Sequence, residues 1–457
     1  MIDSLNSLPG RKAYIVSLGC SKNRVDTEIM IGQLFRAGYR ITGTLSQADA
    51  VIVNTCGFLQ ESVNEALSEL AALAGHKKKT GFRLVATGCL VQRMGQELLR
   101  EIPEIDSLVG VHGYKDIVSA VTGKKKLSVS KTACDHPVSF YRNRIMTTGP
   151  GWAYLRIADG CNNNCSYCLI PKIRGRFRSR TMADIVAEAG ILASQGVKEI
   201  NLIAQDTTNY GLDLYGERKL GDLLLLLDKV KGLEWVRVLY THPAHYDQKL
   251  IRALKQSSKT VKYLDIPLQH SENRVLKSMH RGTDRTKAES LISELRKELP
   301  GLAIRTTFMT GFPGETKTEF NSLQDFIFRQ KFEKLGAFAF SPEPGTKAFK
   351  LSKQVGLLLK QRRLHELMSL QRKISGSCNR ARIGQVCRVL VEGPVIKGSP
   401  VPYKTGYSYY GRSYAEAPEV DGKVYIKTGK KLIPGSFVQV RIERVWDYDL
   451  GGIIDPH

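Results

Sequence analysis

Three thiols stand at a Cys-x₃-Cys-x₂-Cys spacing in the stretch CNNNCSYC: Cys161, Cys165 and Cys168. They directly follow a strand-like run at residues 152–157 and the turn residues Asp159 and Gly160. A tight loop with that spacing can wrap three thiolates round one corner of an iron–sulfur cube and leave one iron without a protein ligand. An open iron beside a polar, Asn-rich loop invites an outside ligand to chelate it, which points to chemistry rather than electron storage. The other reading is a zinc knuckle. Structural zinc takes four closed ligands, and no His or further Cys follows within the next thirty-odd residues.

A second set of cysteines is spread over the first hundred residues. Apolar runs at 14–18, 50–53 and 83–86 have the texture of buried parallel strands, each followed by a turn and a helical stretch. Each run leads into a cysteine, in Ser17-Leu-Gly-Cys20, Val53-Asn-Thr-Cys56 and Ala86-Thr-Gly-Cys89. In a doubly wound sheet the C-terminal ends of the strands line one edge, where ligands gather. Cys20, Cys56 and Cys89 are therefore expected to converge in space as a second three-thiol site. A lone cysteine at a strand end is often only a small buried hydrophobe; three at equivalent ends point to a metal site. Cys134, Cys378 and Cys387 have no such context and are taken as incidental.

The elements that must position these thiols fall into three modules. Residues 11–130 form an N-terminal doubly wound α/β domain, followed by a linker at 131–149. Residues 150–378 repeat a strand–helix unit six times, with strands at 152–157, 199–204, 236–240, 263–266, 303–309 and 335–340. That pattern predicts a partial (β/α)6 barrel with its active-site loops at the C-terminal face of the strands. A long charged helix at 354–374 closes it. Residues 379–448 change texture to short runs between Gly, Pro and Tyr (386–391, 423–426 and 437–445), which predicts a small β-barrel of the oligonucleotide-binding type.

Composition bounds the setting. The chain has 457 residues, 68 Lys and Arg against 44 Asp and Glu, and a formal charge of +24. That excess favours polyanionic or ribosomal partners, although the dense runs are short: Lys77-Lys78-Lys79, Lys124-Lys125-Lys126 and IRGRFRSR at 173–180. The first two are expected in solvated loops. No apolar run approaches the length of a membrane span, and MIDSLNSLPG does not have the pattern of a secretory signal. Grouped thiols without such a leader imply a reducing compartment, the cytoplasm.

The three modules in this order resemble the methylthiotransferase family of radical S-adenosylmethionine (SAM) enzymes, with an N-terminal cluster domain, a radical SAM core and a C-terminal TRAM barrel. The stretches SLGCSKNRVDTE (17–28) and GRSYAEAPEVDG (411–422) are similar to the branch that methylthiolates the β-carbon of an aspartate in protein twelve of the small ribosomal subunit. The tRNA-modifying branch, the alternative, usually has a GCQMN-like string where this chain has GCSKN.

The resemblance implies two 4Fe-4S clusters. Cys161, Cys165 and Cys168 would hold the one that binds and cleaves SAM, and Cys20, Cys56 and Cys89 the one that carries the sulfur to be inserted. It also implies a basic ribosomal protein as substrate, an electron donor and a sulfur source. Tyr167 matches the aromatic residue near the SAM adenine, and Gly311, Gly314 and Glu315 lie in a TGFPGE loop (310–315) similar to the SAM-side loop. Gln205 and Asp206, with Gln269 and His270, occupy barrel-mouth positions where polar side chains tend to be functional; Gln205 is taken as cofactor-binding. Glu416, Glu419 and Asp421 form an acidic stretch in a basic chain, expected to be an exposed patch that docks the substrate protein.

Overall fold

A computed structural model describes residues 10–130, 138–396 and 406–455. The incidental Cys134 lies outside them. In the N-terminal module, β1 (Lys12–Ser17), β2 (Arg40–Ile41), β3 (Ala50–Thr55), β4 (Arg83–Gly88), β5 (Ser107–Gly110) and β6 (Leu127–Ser128) form one parallel sheet in the order β2-β1-β3-β4-β5-β6. Alternation along β3 feeds two cores. Val51 and Val53 face Leu70 and Leu73 of the helix Gln60–Thr80, while Ala50 and Ile52 face Met30 and Leu34 of the helix Ser21–Arg36. Both faces are thus covered, as parallel sheets require. Because β1, β3 and β4 are neighbours, the three cysteine-bearing loops leave adjacent strand ends. Lys77, Lys78 and Lys79 are not in a loop: they fill the last turn of Gln60–Thr80, where cations complement the helix dipole.

After the linker come β7 (Trp152–Arg156), the short antiparallel pair β8 (Ala158–Asp159) and β9 (Arg178–Ser179), then β10 (Glu199–Ile203), β11 (Trp235–Val238), β12 (Thr260–Asp265), β13 (Ala303–Thr310) and β14 (Lys334–Ala339). Apart from the pair, these form a parallel sheet in the order β14-β13-β12-β11-β10-β7. The order follows the chain without a reversal, and β7 and β14 remain edges, so the sheet is an open partial barrel. Leu155, Ile200, Leu202 and Val236 point outward to the surrounding helices. Several of these helices start at a capping side chain, Thr181, Asp247, Asp284 or Thr316.

The inner face is filled from outside the module. Trp152, Tyr154, Trp235 and Tyr263 pack with Val25 and Ile29 of the N-terminal helix and with Leu390, Ala415 and Ala417 of the C-terminal barrel. The closing helix runs over Leu357–Arg380, past the expected boundary, because Asn379 donates hydrogen bonds to the carbonyls of Trp446 and Asp447 and so ties the helix end to the barrel.

That barrel is closed in the order β15-β16-β17-β19-β18, from β15 (Val386–Pro394), β16 (Tyr409–Arg412), β17 (Val424–Lys427), β18 (Phe437–Val445) and β19 (Leu450–Ile454). The fifth strand lies beyond the expected end at 448. Its Gly451 and Gly452 hide it from propensity, since glycine weakens a strand interior. A Cβ at Gly452 would stand 2.1 Å from the Arg441 carbonyl oxygen.

Candidate functional site

At the N-terminal sheet edge, glycines let the cysteine loops close on one another. A Cβ at Gly19, where φ is +95°, would stand 2.9 Å from the Cys56 Cβ. A Cβ at Gly57 would stand 2.7 Å from the Leu90 Cα and 2.9 Å from the carbonyl carbon of Cys89. Any larger residue at either position would push the loops apart. Asn23 spans the gap through Nδ2, which donates to the carbonyls of Leu18 and Thr55. Cys20 is exposed, Cys56 half-buried and Cys89 buried. Burial pushes the Cys89 thiol up to about 12, against the pull of the Arg174 guanidinium, whose Nη2 lies 3.5 Å from its sulfur.

The second triad follows β7 and β8. Asp159 Oδ1 accepts from the Gly160 N–H and fixes the turn before Cys161. Backbone N–H groups of Asn163 and Ile170 donate to the sulfurs of Cys161 and Cys168, each at 3.4 Å, and Arg281 Nη1 lies 3.6 Å from the Cys165 sulfur. Burial raises the Cys161 thiol to about 11 and the Cys168 thiol to about 12. Empty, these thiols would stay protonated at neutral pH; ligation to a cation releases the proton. Soft thiolates that accept N–H and guanidinium donors match the surroundings of an iron–sulfur cluster. Among the described residues no three such side chains close tightly enough for a single metal ion. A cube takes one thiolate per iron and does not need them to. The donor set fits the cluster in both triads.

All six cysteines line one cavity of about 320 Å³. A buried charge network joins its two halves. Asp26 of the N-terminal helix pairs with Arg156 at 2.6 Å and with Arg174 at 2.9 Å, and it accepts from the Tyr114 hydroxyl at 2.6 Å. Both arginines also reach Asp159 in the Cys161 loop. Tyr240 and Gln269, at the cavity wall, have φ of 60° and 71° although neither is glycine. Such strain persists only where the surroundings enforce it and gathers at functional sites.

The expected site residues divide. Tyr167 and Gln205 line the cavity with the cysteines. Gln205 Nε2 donates to Asp159 at 3.1 Å, and its Oε1 is buried without a partner among the described residues. Gly311, Gly314 and Glu315 lie outside the cavity wall. The Glu315 carboxylate is taken by Arg363 at 2.6 Å and by the Gly311 N–H at 2.9 Å, and a Cβ at Gly311 would stand 2.3 Å from Lys360 Cγ. The loop therefore braces the mouth of β13 against the closing helix. His270 faces the same loop: its Nδ1 accepts from the Glu272 N–H, which leaves Nε2 facing Glu315 at 3.5 Å. Asp206 is held at 2.9 Å by His245, a hydrogen bond that overcomes the burial penalty and keeps its carboxyl at about 2.

The acidic stretch is not an exposed patch. Glu416 is buried against Arg382 at 2.7 Å and Lys334 at 3.5 Å. Asp421 accepts from the Tyr263 hydroxyl at 2.7 Å and faces Arg305. Glu419 accepts from Tyr154 at 3.0 Å and pairs with Arg24 at 2.7 Å. Glu416 and Asp421 are turned inward onto basic side chains and a tyrosine, while Glu419 stays partly exposed as it joins Tyr154 to Arg24. The stretch is a clamp between modules.

Sequence reasoning passed over Lys22, Asn23, Arg174, Tyr240, His242 and Arg281, all of which line the cavity. The signals available were the neighbourhood of Cys20 for the first two and the IRGRFRSR run for Arg174. Within that run Arg180 is also turned to protein, pairing with Asp184 and Glu188 at 2.6 Å each.

Comparison with known proteins agrees with this architecture. Residues 12–110 match the family described as "Uncharacterized protein family UPF0004", residues 155–327 the radical SAM superfamily and residues 383–454 the TRAM domain. A solved radical SAM methyltransferase, TsrM from Kitasatospora setae, bound to cobalamin and a [4Fe-4S] cluster, is similar in fold at a TM-score of 0.55. It has 15% identity and covers 74% of each chain. The ribosomal protein uS12 methylthiotransferase RimO of Caldanaerobacter subterraneus subsp. tengcongensis is 45% identical over 449 residues, 97% of this chain and 99% of that protein. The RimO of Acetivibrio thermocellus is 41% identical over 451 residues, 97% of this chain and 98% of that one. A cluster domain and a radical SAM barrel that share one cavity, followed by a TRAM barrel, define the class of radical SAM methylthiotransferases. The chain belongs to the RimO family of ribosomal protein uS12 methylthiotransferases.

Proposed function

We propose that this chain adds a methylthio group to the β-carbon of an aspartate in protein uS12 of the small ribosomal subunit. The carrying observation is the convergence of two three-thiol sets, from two modules, on a single cavity. Cys161, Cys165 and Cys168 would hold one 4Fe-4S cluster, and Cys20, Cys56 and Cys89 the other. Bound SAM and the two clusters supply reductive radical generation, sulfur and methyl transfer.

The chain's own residues position and shield. Arg281 and the N–H groups of Asn163 and Ile170 direct donors at the sulfurs of the core triad, and Arg174 directs one at Cys89. Such bonds set the potential of a ligated cluster. Tyr167 and Gln205 line the wall beside the core triad, where they would contact SAM. His242 accepts from the Ala244 N–H and is driven to about 2 by burial, so it stays neutral. Electrons and sulfur come from outside donors.

The test compares ribosomal proteins by mass spectrometry from cells with and without this gene, with bulk tRNA as the control. A methylthio mass gain on uS12 that disappears with the gene supports the reading; a change confined to tRNA overturns it. The reconstituted protein should hold about eight irons. Replacing Cys161, Cys165 and Cys168 together with Ala should leave roughly half of them. The corresponding Cys20, Cys56 and Cys89 variant should still cleave SAM while forming no methylthiolated product.

A further inference from the structure

The cavity holds one basic side chain that makes no hydrogen bond or ion pair among the described residues. Among the described residues its Lys and Arg side chains are Lys22, Arg174 and Arg281. Arg174 is committed to Asp26, Asp159 and Cys89. Arg281 is committed to the sulfur of Cys165 and the Pro267 carbonyl. Lys22 is only 6% exposed, and its Nζ lies 2.8 Å from the centroid of the Tyr240 ring, with no hydrogen bond or ion pair among the described residues. The acidic groups that act on it are Cys20, a thiol of the triad, Asp265, which is already engaged by Arg305 and by the Tyr240 N–H, and Asp159, which is held by Arg156 and Arg174.

The placement is enforced. Ser21 Oγ lies 3.1 Å from the Tyr240 hydroxyl, and Tyr240 takes a left-handed backbone to bring its ring over the ammonium. A ring face attracts a cation but accepts none of its three N–H donors in the way an anion does. A buried ammonium left in this condition is costly unless a partner arrives.

The proposed reaction defines what that partner is. Its substrate is an aspartyl side chain, and the carbon to be modified is one bond from a carboxylate. We propose that Lys22 binds the side-chain carboxylate of the substrate aspartate, holding its β-carbon in the cavity that both triads share and rejecting the uncharged asparagine. This rests on the protein-modifying reading above. A SAM carboxylate is the poorer occupant, because Lys22 stands two residues from Cys20 and not in the loop of the core triad.

The test uses the reconstituted full-length enzyme and fluorescent peptides spanning the target residue of the ribosomal protein, with Asp or Asn at that position. By anisotropy the wild type should bind the Asp peptide roughly 30-fold or more tighter, the size expected when a buried charge loses its partner. Lys22→Met, similar in length and uncharged, should bring that ratio close to one, and Lys22→Arg should keep a substantial part of it. Equal binding of the two peptides by the wild type overturns the proposal without reference to any variant. So does a wild-type ratio in Lys22→Met, including the case in which its cluster signal or SAM cleavage changes, since Lys22 would then serve the cluster. A wild type that methylthiolates neither peptide nor intact ribosomal protein overturns the function itself, a result read separately from the binding ratio.

Discussion

Asp26 is fully buried, and two guanidinium groups and a phenol converge on it. Removing one partner of a buried ion pair costs far more than the pair contributes, since the remaining charge keeps its desolvation penalty. Asp26→Asn leaves Arg156 and Arg174 sharing only Asp159, and should destabilise the protein by roughly 3–5 kcal/mol. A denaturant titration of the variant measures this; an unchanged midpoint would show that the arginines find other partners. The six cysteines could be found from spacing because thiol ligation is a local property of a loop. Arg174 and Lys22 could not, because each has its role only through residues of another module.

At the scale of elements, each N-terminal strand end delivers one thiol, and the loops meet because they are narrow. Gly57 sits against the backbone at Leu90, where nothing can move aside as a side chain would. Gly57→Ala should therefore spread the loops carrying Cys56 and Cys89. In the reconstituted variant, iron should fall toward half of about eight atoms while the core triad stays loaded. Iron analysis with electron paramagnetic resonance of the reduced protein separates the two sites. Full iron content would mean that the loops tolerate the methyl group. The strands themselves were legible, since buried parallel strands are continuous apolar runs. The two-residue β2 and β6 were not, because so short a pairing leaves no period to detect.

Across the whole molecule, the modules are fastened by carboxylates of the C-terminal segment and the core. Glu199 of the core holds Arg412 of the barrel at 2.7 Å, and Glu419 of the barrel segment holds Arg24 of the N-terminal helix at 2.7 Å. Glu416, buried in the same segment, makes the fastening sensitive to acid. Burial works against its charge, but Arg382, Lys334 and Ser413 outweigh that and keep its carboxyl at about 2. A folded value below the unfolded one, near 4.3, means a contribution fully present above the unfolded value. It is lost as pH falls toward the folded one. Glu416→Gln should lower the unfolding temperature at neutral pH, and the gap to wild type should narrow between about pH 4 and pH 2. A gap that stays constant through that window would show that Glu416 does not hold the barrel.

The sequence by itself determined the three modules, the spacing of the core thiols and the strand-end positions of the other three. These depend on periodicity and on neighbours a few residues away. Only the tertiary structure decided that both triads open into one cavity. It also decided that Glu416, Glu419 and Asp421 pair across modules as a clamp and that Lys22 has no ion pair among the described residues. The physical reason is common to all three. Burying a charge is decided by which opposite charge the other modules bring within about 4 Å, and no local pattern in the chain encodes that distance.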